Sequence, residues 1–375
     1  MRVLLDVSAV PDRPVGAGVY TIAVAQGLAR SAGVELHLLA RRGDTRWPAL
    51  APGAEVHGDA PPGRPARLVW EQTRAAGIVA ELRPDVWHGP HYTLPLRAAC
   101  PKVTTVHDLT FFDHPEWHER SKVLYFRRMI RASVARADTV ICVSEFTARR
   151  LHVLCPRHAP VVVIPHGVDH DRFRPESDPA ADLAALAEHG IRPPYVAFSG
   201  TLEPRKDIPT LVDAFARIAG THPDLRLVIA GGDGWGTKDV RDAVARSGVA
   251  TRVLRPGYLG ADVIAALFRR AEVVAYPSLE EGFGLPALET MASGTPLVST
   301  NGSAVAEFAG DAAVLVAPGD APALAAALAS VLDDPALAAR LRVAGPSIAA
   351  AFTWERSVHA HVRAYEAAAR AGVRA

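Results

Sequence analysis

Two glutamates eight positions apart, Glu281 and Glu289, enclose the turn Gly282-Phe283-Gly284. Just upstream, Val273 to Tyr276 is a short apolar run that reads as a buried strand. Leu285 to Ala292 follows as a helix, with Pro286 tolerated in its first turn. Gly284 therefore stands where a strand hands over to a helix N-terminus, and the backbone N–H groups there suit an anion. Carboxylates beside an anion repel it, so Glu281 and Glu289 are better placed to bind hydroxyls. An anion flanked by hydroxyl-rich groups describes a nucleotide sugar.

A second constellation supplies positive charge. Arg205 and Lys206 follow the apolar run Tyr195 to Ser199 and are expected to open a helix. Breaking a sugar–phosphate bond builds negative charge on the leaving oxygen, and fixed cations aimed at it lower the barrier. Removing one such donor typically costs ~3 kcal/mol. Paired carboxylates could instead serve a glycoside hydrolase, whose carboxyls stand ~5–9 Å apart, but the glycine turn and the Arg-Lys pair argue against it. His107-Asp108 ends the run Lys102 to Val106, where ligands gather in open α/β sheets. Near the start, Val3 to Val7 leads into the loop Ser8 to Gly18, with Gly16 and Gly18 before a helix from about Val19 to Ala29. That is a phosphate-binding arrangement, although the third glycine of a dinucleotide fingerprint is missing.

These residues need a scaffold, and the chain has room for two. Its 375 residues exceed one ordinary core. Apolar content of 49% and charged content of 22% fit a globular protein, and a net charge of +1 gives no case for a nucleic-acid binder. Three cysteines without metal spacing suit a reducing compartment. The opening MRVLLDVSAV reads as a first strand and not a leader. Apolar strands alternate with helices through both halves, which implies parallel sheets covered on both faces. The further strands are expected at 35–40, from 85, and at 139–143, 161–164, 226–230, 252–254, 296–299 and 313–316. The segment 41–65 reads as mostly loop and 67–82 as one helix. The proline-rich stretch after Pro165 reads as a crossover, with a helical patch near Leu183 to Ala187.

Glu281-Gly-Phe-Gly-Leu-Pro-Ala-Leu-Glu289 resembles the Glu-x7-Glu signature of retaining glycosyltransferases of family 4, which have the GT-B fold. Ser199-Gly-Thr-Leu-Glu-Pro-Arg-Lys206 and Val106-His-Asp108 resemble the family's other landmarks, in the family's order. The resemblance runs from Gly16 to the C-terminal helix. It implies an α/β chain of two Rossmann-like domains facing across a cleft, the last helix crossing back to the N-terminal domain. The expected bounds are 1–168 with 356–375 for the first domain, 169–194 for a linker and 195–355 for the second.

By the same resemblance, His107, Arg205, Lys206 and Glu281 are catalytic. Gly16, Gly18, Gly232, Tyr258, Leu259, Phe283, Gly284, Leu285 and Glu289 bind the donor, with Glu289 accepting from the ribose hydroxyls. Tyr92 and Asp108 bind the acceptor. Many relatives carry arginine where this chain has Thr201, so Arg205 is expected to share the phosphate role. No metal and no cofactor beyond the nucleotide-sugar substrate is implied. The acidic triplet Asp169-His-Asp171 is accordingly a turn, and His88, His91, His114 and His118 are cleft or surface residues. The stretch around Thr201 looks most like the branch of GDP-mannose-dependent mannosyltransferases of surface polysaccharide assembly. Partners are then a nucleotide sugar and a glycan or lipid-linked acceptor, in the cytoplasm. A nucleotide-sugar epimerase and a non-catalytic nucleotide-sugar binder are the alternatives. The helix from Glu119 to Arg136 places Arg120, Arg127, Arg128 and Arg131 in one stripe, which suits an anionic membrane surface or phosphorylated acceptor as well as a solvated face.

Overall fold

The computed structural model describes residues 1–372 and divides into two units, Met1–Gly167 with the C-terminal segment from Trp354, and Val168–Thr353. In the first unit the strands are β1 (Arg2–Asp6), β2 (Glu35–Arg41), β3 (Glu55–Ala60), β4 (Val86–Gly89), β5 (Lys102–Val106), β6 (Thr139–Cys142) and β7 (Val161–Val163). They form a parallel sheet in the order β3-β2-β1-β4-β5-β6-β7. In the second unit β8 (Tyr195–Ser199), β9 (Arg226–Ala230), β10 (Val253–Gly257), β11 (Val273–Tyr276), β12 (Leu297–Thr300) and β13 (Ala313–Val316) form another. Its order is β10-β9-β8-β11-β12-β13, again all parallel. Each order reverses once, between β1 and β4 and between β8 and β11. Loops diverge at such switch points and leave a crevice at the carboxyl ends of the strands.

The C-terminal helix Trp354–Gly372 belongs to the first unit, as the resemblance implies, while residues 373–375 of the expected 356–375 span lie outside the described residues. What fastens it is a buried relay of polar groups whose proton order can be worked out. His361 Nδ1 is 2.7 Å from the Ser357 carbonyl, which only accepts, so Nδ1 carries the proton and Nε2 must accept. Tyr20 therefore donates to His361 Nε2 at 2.7 Å and accepts from Thr105 at 2.8 Å. Thr105 accepts from His88 Nε2 at 2.9 Å, and His88 Nδ1 accepts from the Tyr365 hydroxyl at 2.7 Å. Every member is satisfied, and burial holds both histidines neutral, His361 at about 4. His88 is thus a core residue, neither cleft nor surface.

Several expectations are corrected. Segment 41–65 contains a short helix, Trp47–Leu50, and the edge strand β3, and a further helix begins at Arg64. The expected helix 67–82 is two, Arg64–Thr73 and Ala75–Leu82. Gly18 lies inside the first helix, Ala17–Ala29, and not in the loop before it. Segment 169–194 folds into the second unit instead of spanning between units. Its helix Pro179–Ala187 carries Asp182, which bridges Arg269 at 2.7 Å and Arg270 at 2.9 Å. Burial would raise the Asp182 carboxyl, but these arginines bring it down to about 2.

Candidate functional site

At the switch point of the second sheet, the loop after β8 meets the loop after β11. Arg205 and Lys206 lie in a short 3-10 turn, Pro204–Lys206, that precedes the helix Ile208–Ile218; they do not open that helix themselves. Leu279 N–H donates to the Arg205 carbonyl at 2.8 Å and pins the two loops together. Glu281 then receives Arg205 at 2.7 Å on Oε2, and Lys206 on Oε1. Tyr276, the last residue of β11, donates to the same Oε1 at 2.9 Å and accepts from Lys206 Nζ at 2.5 Å. Arg205 is also held by Glu203 at 2.9 Å. Lys206 is 5% exposed, so it is a buried cation and not a solvated one. Burial lowers it to about 8, Arg205 adding and Glu281 opposing. For Glu281 burial pulls upward, but Arg205 and Lys206 outweigh it and hold the carboxyl at about 2. Both groups are charged at neutral pH.

The remaining donor candidates of this unit lie on the loops after β9, β10 and β11 and on the helix that follows β11. Gly284 caps the helix Leu285–Ala292 with φ +98°, and a Cβ there would meet Val305 Cγ2 at 2.6 Å. Phe283 packs on Phe308 and Phe352, and Leu285 is buried, so only their backbones can face a ligand. Gly231, at φ +146°, has Gly200 O where its Cβ would be, 1.9 Å away, so the loop after β9 lies backbone to backbone on the loop after β8. Gly232 O accepts from Leu202 N–H at 3.1 Å within that contact. Leu259 is buried, while Tyr258 is exposed. Glu289 lies on the helix Leu285–Ala292; burial raises its carboxyl to about 7, with Arg172 opposing and Asp169 adding. Asp169 accepts from the N–H groups of Asp171 and Arg172 at 3.2 Å and pairs with the Arg172 side chain, which makes the acidic triplet a turn.

The first unit holds the other candidates. His107 donates from Nε2 to the Pro90 carbonyl at 2.8 Å, and burial lowers its basicity. Its ring meets Tyr20, His91, Tyr92 and His166. Gly16 precedes the first helix with φ +46°. Tyr92, expected at the acceptor, has a left-handed φ of +68° and packs its ring in the core against Phe111 and Phe126. Asp108 accepts from Thr110 N–H at 3.3 Å and from its hydroxyl at 2.9 Å, a turn-capping role. His114 stacks on Trp117 and His118 on Phe111. In the basic helix, Arg127 donates to the carbonyls of Phe111 and Phe112, and Arg131 lies over the Phe112 ring, so half of the expected stripe packs on its neighbours. Among the described residues no single helix is long and apolar enough to cross a membrane.

Sequence reasoning missed Tyr276, Glu203 and Arg172. The only local signal for Tyr276 was a hydroxyl at the carboxyl end of a strand, five residues before Glu281.

Residues 186–347 match the family model described as "Glycosyl transferases group 1", and residues 14–172 match "Glycosyltransferase Family 4". The chain is 30% identical over 295 residues to the O-antigen chain mannosyltransferase B of Escherichia coli, covering 78% of this chain and 77% of that one. It is 33% identical over 308 residues to the glycogen synthase of Mycobacterium tuberculosis, covering 77% of this chain and 70% of the relative. Among solved structures, sucrose-phosphate synthase from Thermosynechococcus elongatus superposes with a TM-score of 0.82 at 24% identity, over 97% of this chain and 98% of that one.

Proposed function

The chain belongs to the family 4, group 1 glycosyltransferases of the GT-B fold, and from that premise we propose a retaining hexosyltransferase that moves mannose from GDP-mannose to a glycan or lipid-linked glycan hydroxyl. The observation that carries the reading is the buried cluster of Arg205, Lys206, Glu281 and Tyr276 at the sheet's switch point. Two cations fixed there suit a leaving diphosphate. The relative named as a mannosyltransferase favours mannose.

In the proposed reaction the bond between the sugar's anomeric carbon and the phosphate oxygen breaks first, leaving an oxocarbenium-like sugar. The acceptor oxygen attacks on the face the phosphate has left. Its proton passes to the departing phosphate oxygen, so the products are the glycoside and a nucleoside diphosphate. Arg205 and Lys206 stabilise the leaving phosphate, with no metal needed for that charge. Glu281 fixes both cations, Glu289 accepts from the ribose, and the backbones of Gly232, Phe283, Gly284 and Leu285 approach the donor. His107 is the catalytic residue proposed from the first unit, and Arg120 and Arg128 favour an anionic acceptor or membrane surface.

A thermal-shift panel with GDP, UDP, ADP and dTDP, then their sugars, tests the donor. A ligand at ~100 times its Kd stabilises the fold by about 2.7 kcal/mol. A shift confined to GDP supports the reading; a shift with another nucleotide replaces the donor; no shift removes the nucleotide site. Proton NMR of the product gives the anomeric configuration, and inversion would rule out retention. A converted sugar formed from donor alone would make the protein an epimerase. Liposome flotation that does not depend on anionic lipid would end the membrane reading.

A further inference from the structure

Two neighbouring strands at the outer edge of the seven-stranded sheet repeat one short pattern. Glu35-Leu36-His37 opens β2, and Glu55-Val56-His57 opens β3. Alternation along a strand puts each glutamate and its histidine on one face. The parallel register sets His37 beside Glu55 and Leu39 beside His57, so the four groups gather on the same face. His37 Nδ1 lies 3.0 Å from His57 Nε2. Glu55 brings Oε2 to 3.6 Å from the first nitrogen and Oε1 to 3.7 Å from the second. Ligands ~2.0–2.1 Å from a tetrahedral zinc ion stand ~3.3 Å from one another. The three spacings bracket that edge.

The surroundings of His37 point the same way. Its other nitrogen, Nε2, is 3.1 Å from Glu35 Oε1, and Arg2 holds that same oxygen at 2.9 Å. A histidine that gives its second N–H to an anchored carboxylate turns the lone pair of its first nitrogen outward, the arrangement that supports metal-ligating imidazoles. A hydrogen bond between the two rings accounts for the 3.0 Å pair. It does not account for Glu55, whose carboxylate stands over the same two nitrogens at 3.6 and 3.7 Å, beyond hydrogen-bond distance of either and at the spacing of a third ligand.

We propose that His37, His57 and Glu55 bind one divalent cation of the zinc class, with Glu35 orienting His37 and solvent completing the shell. The site lies where β2 and β3 begin, away from the carboxyl ends of the strands where the transfer residues collect. Its effect is on the edge strand: β3 is largely exposed, and the cation clips it to β2.

The test uses the full-length protein, stripped with EDTA, desalted and titrated with zinc chloride in a calorimeter. One ion binds per chain, and the unfolding temperature rises with zinc concentration. His57→Gln changes a partly exposed side chain and keeps the fold, which circular dichroism verifies. It weakens zinc binding at least ~10-fold and removes the thermal shift. His152 and His158, 2.8 Å apart, are an exposed histidine pair elsewhere on this unit where zinc could settle. The double substitution His152→Gln, His158→Gln leaves the affinity unchanged. X-ray absorption of the zinc-loaded protein shows two imidazoles with oxygen donors. The proposal is overturned by absence of stoichiometric binding, by equal affinity in His57→Gln, or by loss of binding in the His152/His158 variant instead.

Discussion

The two ends of the buried ion pair should answer removal in opposite directions. Lys206 is held at about 8 against an ordinary 10.5, by burial first and by Arg205 next. At ~1.36 kcal/mol per pH unit, keeping it protonated at pH 7 costs the folded state about 3 kcal/mol. Glu281 is brought from 4.5 to about 2 against the pull of burial, by the charge of Arg205 and by the charge and hydrogen bond of Lys206. That contributes about 3 kcal/mol, fully present above pH ~4.5 and lost as the pH falls through 2. Lys206→Met removes the whole cost of the buried ammonium and the lysine's part of the carboxylate's stabilisation, while Arg205 stays on Glu281 Oε2 as its counter-ion. Stability at pH 7 should therefore be unchanged or higher by ~1–2 kcal/mol. Glu281→Gln leaves two cations without their counter-ion and should cost ~3–5 kcal/mol. Urea unfolding at pH 7, with the denaturant slope checked, reads both. Turnover of Lys206→Met should nonetheless fall ~10²–10³-fold. The lysine's cost fades as the pH rises from 8 to 10.5, so any stability gap between Lys206→Met and the parent should close over that range. A loss of more than ~2 kcal/mol in Lys206→Met, or parental turnover, would refute the reasoning.

Other substitutions probe different links. Glu289, raised to about 7 by burial, carries a cost that is absent below pH 4.5 and reaches about 3 kcal/mol above pH 7. Glu289→Gln should thus stabilise the ligand-free protein at pH 8 and not at pH 4.5, while weakening GDP binding in calorimetry. Gly231→Ala drives a Cβ into Gly200 O at a φ of +146° and should cost at least ~3 kcal/mol, seen as a lower unfolding temperature or an insoluble product. Tyr365→Phe leaves His88 Nδ1 without its donor and should cost ~1–3 kcal/mol, measured by urea unfolding.

The sequence exposes the fold wherever burial on both faces leaves an uninterrupted apolar run, as in β8, β9 and β11. β3 escapes such reading because Glu55-Val-His-Gly-Asp-Ala60 holds one branched apolar residue and a glycine. It becomes a strand through pairing with β2, and nothing local marks it. The charged residues of the site are legible because their types announce chemistry, yet their states are not. Lys206 looks like a solvated cation until Tyr276 and Glu281, seventy and seventy-five positions on, close over it. Tyr92 is opaque in the same way: its type does not tell that the ring packs in the core, on a backbone with a left-handed φ of +68°.

Charge counting at the site leads to a last prediction. Arg205 and Lys206 are opposed by Glu203 and Glu281, so the cluster carries no surplus positive charge. A diphosphate is then held only as Arg205 turns from its carboxylates toward the phosphate oxygens, and each carboxylate competes with the ligand. Glu281 is buried and ties the loop after β11 to Lys206, so removing it disturbs the fold. Glu203 grips Arg205 alone, through one bond of 2.9 Å, from a partly exposed position. Glu203→Gln should therefore tighten GDP binding roughly tenfold, about 1.4 kcal/mol, with little change in stability. The gain should shrink at high salt, since the competing charge is partly exposed. Calorimetric titration at two salt concentrations measures it. Weaker binding in Glu203→Gln would mean that Glu203 positions Arg205 for the phosphate and does not compete with it.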